Sequence, residues 1–244
     1  MSGKSSFRTK FEDTMPEYSG ALLILIFSGF FGLLALFRNA VHLGFLDRPI
    51  VVGILFALVL EPASLFLGIA IFFELLWLDC IPTGTYIPPQ SQLAAFVCSE
   101  IAALLHVGQP GQMLPLLLLA IPLAWLGSRV ESAQRRRQNS LHDFLLRNTD
   151  SDGMHCDPQP FVLRTLLSYA GIQTGICLIS SFCLYPLAVI ALRYWPDSGA
   201  TGWPLIWGGA LLGSILALRL RKAYYLLAAS LVVIFIPLWM GIIG

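Results

Sequence analysis

The chain has 244 residues, of which 57% are hydrophobic and only 12% charged, and its mean hydropathy is +0.76. A soluble domain carries about 25% charged residues, so this composition excludes a soluble globular core. The formal net charge of +1 says little about partners, because the charges are gathered in a few loops. The apolar runs have helical lengths and lack sustained period-two alternation. They predict an all-α integral membrane protein, a polytopic helical bundle in a lipid bilayer.

Residues 1–18 form a polar tail of mixed charge (Lys4, Arg8 and Lys10 against Glu12, Asp13 and Glu17). The membrane region, 19–128, opens with Ser19–Phe37, whose core from Ala21 is about 25 Å long at the helical rise. A cleaved signal peptide is disfavoured by the long polar start and the lack of a small-residue cleavage site. Arg38–Arg48 is a short polar connection holding His42 and Asp47. Pro49 then opens Ile50–Leu60, too short to span as a straight helix. Glu61-Pro62 interrupts the chain before the next helix, Ala63–Leu78, with proline at its first turn. Two further apolar runs, Leu93–Val107 and Met113–Gly127, flank the turn Gly108–Gln112.

Residues 129–160 are expected to be a cytoplasmic basic loop. The triplet Arg135-Arg136-Arg137 marks the inner face of a membrane protein better than it marks a nucleic-acid site, and no nucleic-acid partner is expected. Residues 161–244 hold the last membrane helices: Phe161–Ala191, Trp203–Leu218 and Tyr224–Ile243, with Arg219–Lys222 as a second basic cluster. The downstream half closes under the positive-inside rule with both basic clusters inside. The upstream half does not. Five apolar runs separate the tail from the Arg129 segment, so either the N-terminus is outside or one run enters and leaves by the same face.

Of the five cysteines, Cys80, Cys98, Cys177 and Cys183 lie in or beside apolar segments, and Cys156 sits in a polar loop. None has metal-ligand spacing, and His155-Cys156-Asp157 is too local to form a site. No metal and no cofactor are expected. Nor is there a Walker-type glycine loop, an HExxH or a nucleophile elbow.

The feature around which the chain is organised is a broken or re-entrant element around 79–92. Glu74 and Asp79 follow a long apolar run, and Pro82, Gly84, Pro88 and Pro89 then forbid continued helix. Broken backbone at membrane depth is tolerated only inside protein or beside a watery cavity, and an acid at a helix centre costs roughly 2.5–3.5 kcal/mol. Transporters place polar sites at discontinuous helices. Thr83, Thr85, Gln90 and Gln92 offer hydrogen bonds, while Trp77 and Tyr86 offer stacking faces. With no arginine or lysine in the stretch, a neutral polyhydroxylated solute fits better than an anion. Glu100, beyond the break, reads as a helix-packing or loop-proximal acid. His42 and His106 are isolated and read as packing or interfacial residues.

Arg48-Pro49, the Leu58–Leu60 region, Gly68, Glu74, Leu78, Gly84 and Pro89 stand at fixed mutual spacing. In these residues the sequence resembles the membrane IIC subunit of the mannose/fructose/sorbose family of bacterial phosphotransferase systems. The resemblance runs from Arg48 to Gln90 and more loosely through Gly127. It implies a permease subunit in the bacterial inner membrane that moves a hexose-like sugar inward. A membrane IID subunit and the phosphocarriers IIA and IIB would be its partners, with IIB phosphorylating the sugar. Any enzymatic activity would belong to that complex, since the chain has no phosphoryl-transfer residue. The implied substrate-binding residues are Glu74, Asp79, Thr83 and Gln90. Pro82 and Gln90 depart from the family pattern, where a polar residue and a Pro-Asp pair are common. A homo-oligomer is compatible with the sequence. The alternatives are a phosphotransferase-independent carrier with Glu74 or Glu100 as proton site, and a non-transporting membrane scaffold.

Overall fold

The computed structural model describes residues 20–41, 44–78, 80, 87–152, 159–195 and 202–217. The N-terminal tail, His42, Asp79, Pro82, Thr83, Gly84, Thr85, Tyr86, the His155-Cys156-Asp157 cluster, Arg219–Lys222 and the expected helix Tyr224–Ile243 lie outside the described residues.

The described residues are helical and contain no strand. In chain order they are α1 (Gly20–Val41), a single 3-10 turn (Gly44–Asp47), α2 (Pro49–Val59), α3 (Ala63–Leu76), α4 (Ser91–Leu104), α5 (Pro110–Asp152), α6 (Gln159–Tyr194) and α7 (Trp203–Ala217). Three stretches are long and apolar enough to cross a membrane: Gly20–Ala40, Pro110–Ser140 and Val162–Tyr194. The shorter helices are equally apolar, but α2, with 11 residues, is only about 16 Å long.

Helix ends follow local chemistry. Pro49 occupies the start of α2, where its missing N–H would be unbonded anyway. Pro62 precedes α3 in extended conformation, one residue outside the helix rather than within its first turn. At the end of α4, His106 has φ 50°. Its N–H bonds the Ala103 carbonyl at 3.2 Å, and the Val107 N–H bonds that of Ala102 at 3.0 Å. This is a Schellman cap with histidine in the position glycine usually takes, which gives His106 a local role.

One expectation is corrected. The 129–160 segment is not a loop over most of its length, because α5 runs on as helix to Asp152. Between Gly127 and Gly153 the chain has neither glycine nor proline, and residues 133–138 are strong helix formers. Arg135 pairs with Glu131 one turn back at 2.6 Å. The hydroxyls of Ser132 and Ser140 donate to the carbonyls four residues earlier, so polarity alone did not end the helix.

The core is built around α4, which is buried from Gln92 to Ala103. A helix that is covered on every side belongs at the centre of a bundle, and α4 touches α1, α2, α3, α5 and α6. Phe96 packs against Phe31 with centroids 4.9 Å apart and meets Phe56 edge-on at 5.1 Å. On the far side of α3, α7 lies against Gly68. The Trp203 ring occupies the space a Cβ would need there, and Trp207 Nε1 donates to the Gly68 carbonyl at 3.0 Å.

The directions of the helices follow from which ends meet. Arg38 near the end of α1, Asp47, Arg48 and Pro49 at the start of α2, Glu74 near the end of α3, Gln90 at the start of α4, and Glu131 of α5 all line one cavity. Helix α2 therefore leaves that face and α3 returns to it. Likewise α4 leaves and α5 returns.

Candidate functional site

The cavity at the meeting of these ends has a volume of about 250 Å3. It lies at the break singled out in the sequence. Helix α3 stops at Leu76, and Trp77 leaves helical geometry at φ −116°, ψ 30°. The chain re-enters through Pro88 and Pro89, both lining the cavity. Gln90 is fixed by its own N–H, which donates to the Ala124 carbonyl at 2.9 Å. Gly127 makes this possible, since a Cβ there would collide with the Gln90 side chain.

Two of the four expected binding residues, Glu74 and Gln90, face this cavity from opposite sides of the break; Asp79 and Thr83 lie outside the described residues. Arg48 donates to Glu74 Oε1 at 2.9 Å, while Glu74 Oε2 is buried without a hydrogen-bond partner. Gln90 Nε2 donates to Gln173 Oε1 at 3.1 Å, and Gln90 Oε1 is likewise buried and unpartnered. Gln173 in turn donates to Gln134 Oε1 at 3.4 Å. Gln92 is held at both ends, accepting from Arg38 at 3.2 Å and donating to the Leu46 carbonyl at 2.7 Å. Trp77 lines the wall, with one face stacked on Phe73 at 5.6 Å and 9°.

The surroundings differ from the stretch read alone. Arg38, Arg48 and Arg135 line the cavity, and each has an acid: Asp47 at 3.0 Å, Glu74 at 2.9 Å and Glu131 at 2.6 Å. Among the described residues three cations face three anions, so this part of the wall is strongly polar but balanced in formal charge. Arg38 also lies over the Tyr169 ring, 5.5 Å from its centroid. The stretch itself holds no arginine or lysine, but the cavity it lines holds three. Arg48 is adjacent to Pro49 and already belonged to the spaced motif. Gln173 could have been found as an uncharged amide inside an apolar run, where polar side chains face the bundle interior.

Glu100 lies elsewhere. It is fully buried in α4, ten residues from Gln90 and so about 15 Å along the helix. Ser181 of α6 donates to its Oε2 at 2.6 Å, and its Oε1 has no partner. Cys177 and, through it, Ser28 adjoin the group. This is a helix-packing position. Among the described residues no group of three or more His, Cys, Asp or Glu side chains is arranged to hold a metal ion.

No protein-family model, curated protein or solved structure matches the chain.

Proposed function

We propose that the chain is a polytopic permease subunit that carries a neutral polyhydroxylated solute of hexose type through the cavity at the helix break. The observation that carries this reading is one cavity lined from the two sides of the break by Glu74 and Gln90, each of which keeps one buried acceptor, Glu74 Oε2 and Gln90 Oε1, without a hydrogen-bond partner. A buried acceptor without a donor costs roughly 1–3 kcal/mol, and a solute hydroxyl relieves that cost. Arg48 and the three acids offer further donors and acceptors. At about 250 Å3 the space lies below the roughly 300–1,000 Å3 of sites for drug-sized ligands, as suits a small solute.

In this reading the basic end of α5 marks the cytoplasmic face, and the cavity opens there. One outward-to-inward crossing by α1, followed by the departing and returning pairs α2–α3 and α4–α5, leaves the N-terminal tail outside. That arrangement is the first of the two ways to resolve the odd number of apolar runs. The resemblance to IIC subunits supplies the mode of coupling: inward passage of the sugar beside a IID subunit, with phosphorylation by IIB after phosphate transfer through IIA.

The test is phosphoenolpyruvate-dependent hexose uptake by cells that express the chain with IID, IIA and IIB partners. Glu74→Gln is expected to abolish uptake with membrane insertion intact, and uptake at the wild-type rate would remove Glu74 from the site. Glu100 supports a second reading, because a carboxyl with one orphaned oxygen in a helix core suits a proton site. Uptake driven by a pH gradient in vesicles without phosphotransferase components would favour that carrier. A complex that assembles with IID but binds no sugar would make the chain a scaffold.

A further inference from the structure

A second cavity, of about 340 Å3, lies between the basic turns of α5 and the first turns of α6. We propose that it is a binding site for the phosphate headgroup of an anionic phospholipid, formed by Arg137 of α5 and Arg164 of α6.

Both guanidinium groups are exposed, and among the described residues neither is paired with a carboxylate. The three ion pairs there belong to Arg38, Arg48 and Arg135. Among the described residues no acidic side chain lines the cavity; its other polar walls include Gln134, Gln138 and the Ser168 hydroxyl. Gln134 Oε1 already accepts from Gln173, so its NH2 is the end left to donate. Two unopposed planar guanidiniums with neutral donors between them form an anion site, and phosphate oxygens suit their paired N–H groups. The first cavity, with its three matched ion pairs, has no such character.

Position favours a lipid over a soluble phosphate. Arg137 lies on the polar continuation of α5, ten residues past the end of its apolar run at Gly127, and Arg164 two residues into the span Val162–Tyr194. The cavity therefore joins the water-side end of α5 to the start of an apolar helix, the boundary at which lipid headgroups lie. Leu163 and Leu167 immediately precede Arg164 and Ser168 and are 59% and 56% exposed. A phospholipid whose phosphate occupied the cavity would lay an acyl chain along them. The proposal uses the apolar spans and the basic cavity, and does not depend on which solute the first cavity holds.

The experiment is lipid binding to the full chain purified in a neutral detergent, read by native mass spectrometry and by the thermal midpoint. The probes are phosphatidylglycerol, phosphatidylcholine and inorganic phosphate. The wild-type chain is expected to retain phosphatidylglycerol and to be stabilised by it, more than by phosphatidylcholine. The Arg137→Gln/Arg164→Gln variant is expected to lose affinity by roughly ten-fold or more, two charged contacts being removed. Arg129→Gln/Arg136→Gln removes the same charge from the same segment outside the cavity and is expected to keep that affinity. If the glutamine variant does not fold, Arg137→Lys/Arg164→Lys keeps the charge, loses the paired N–H geometry and is expected to bind more weakly than wild type. Equal lipid binding by wild type and a folded cavity variant would overturn the site, as would equal loss in the Arg129/Arg136 control. Stabilisation by inorganic phosphate equal to that by phosphatidylglycerol would overturn the lipid assignment.

Discussion

Glu74 stands in the last turn of α3, beside a break, where an arginine 26 residues away in sequence reaches one oxygen and the residue lines a cavity. Glu100 stands one turn before the end of α4, covered on every side, where its carboxylate accepts a hydrogen bond from a serine hydroxyl of α6. Both are acids set in apolar sequence. What separates them is backbone continuity. A broken helix leaves room for loops and helix ends, which carry the arginines, whereas the stretch of α4 around Glu100 meets apolar and hydroxyl-bearing faces of its neighbours. Under the proposed function the first acid exchanges partners with a solute, while the second holds two helices together.

The difference is broken most strongly from the dry side. Phe96→Ala, one turn before Glu100 and in ring contact with Phe31 and Phe56, is expected to lower stability by about 3–5 kcal/mol. Thermal unfolding in detergent reads this, and a change below 1 kcal/mol would mean that α4 is not the packed centre. Ser181→Ala leaves Glu100 without its donor and is expected to destabilise by about 1–3 kcal/mol in the same assay. An unchanged midpoint would show that water or another group already serves Glu100. The wet side responds differently. Arg48 is 57% exposed, so its pair with Glu74 is partly screened, and Glu74→Gln is expected to change stability by less than about 1 kcal/mol while uptake is lost. A large fall in stability would make Glu74 a structural acid like Glu100. Smallest of all, Arg135→Gln removes an exposed one-turn pair with Glu131 and is expected to shift stability by about 0.3–0.5 kcal/mol. A loss above 1 kcal/mol would mean that Arg135 does more at the cavity than neutralise its neighbour.

These contrasts also mark what could be read from sequence. The break, Glu74 and Gln90 were legible because proline, glycine and acid in an apolar context violate the rules of a membrane helix at one place. The opening of α2 at Pro49 was legible for a similarly local reason. The Arg48–Glu74 and Ser181–Glu100 pairs were not, since they span 26 and 81 positions and are set by packing. The polarity of the basic segment after Gly127 suggests a loop. Helix propensity and the Glu131–Arg135 spacing pointed to helix, and a basic helix on the water side of a span has no apolar stripe to reveal it. Parity alone left the upstream topology open. The convergence of helix ends on one cavity supplies a direction that hydropathy does not contain.

The claim that the break is a wet, one-sided solute site while α4 is dry can be tested with the chain's own thiols. Cys80 lines the first cavity, and Cys98 is fully buried in α4. The measurement is labelling by a membrane-impermeant maleimide of two variants, each retaining only one of these cysteines, in sealed vesicles of either orientation and with or without a panel of hexoses. Cys80 is predicted to label only from the face carrying the basic end of α5, and to be protected by at least one hexose, while Cys98 stays unlabelled from both faces. Labelling of Cys98 at the rate of Cys80, or labelling of Cys80 from the opposite face without protection by any sugar, would contradict the account.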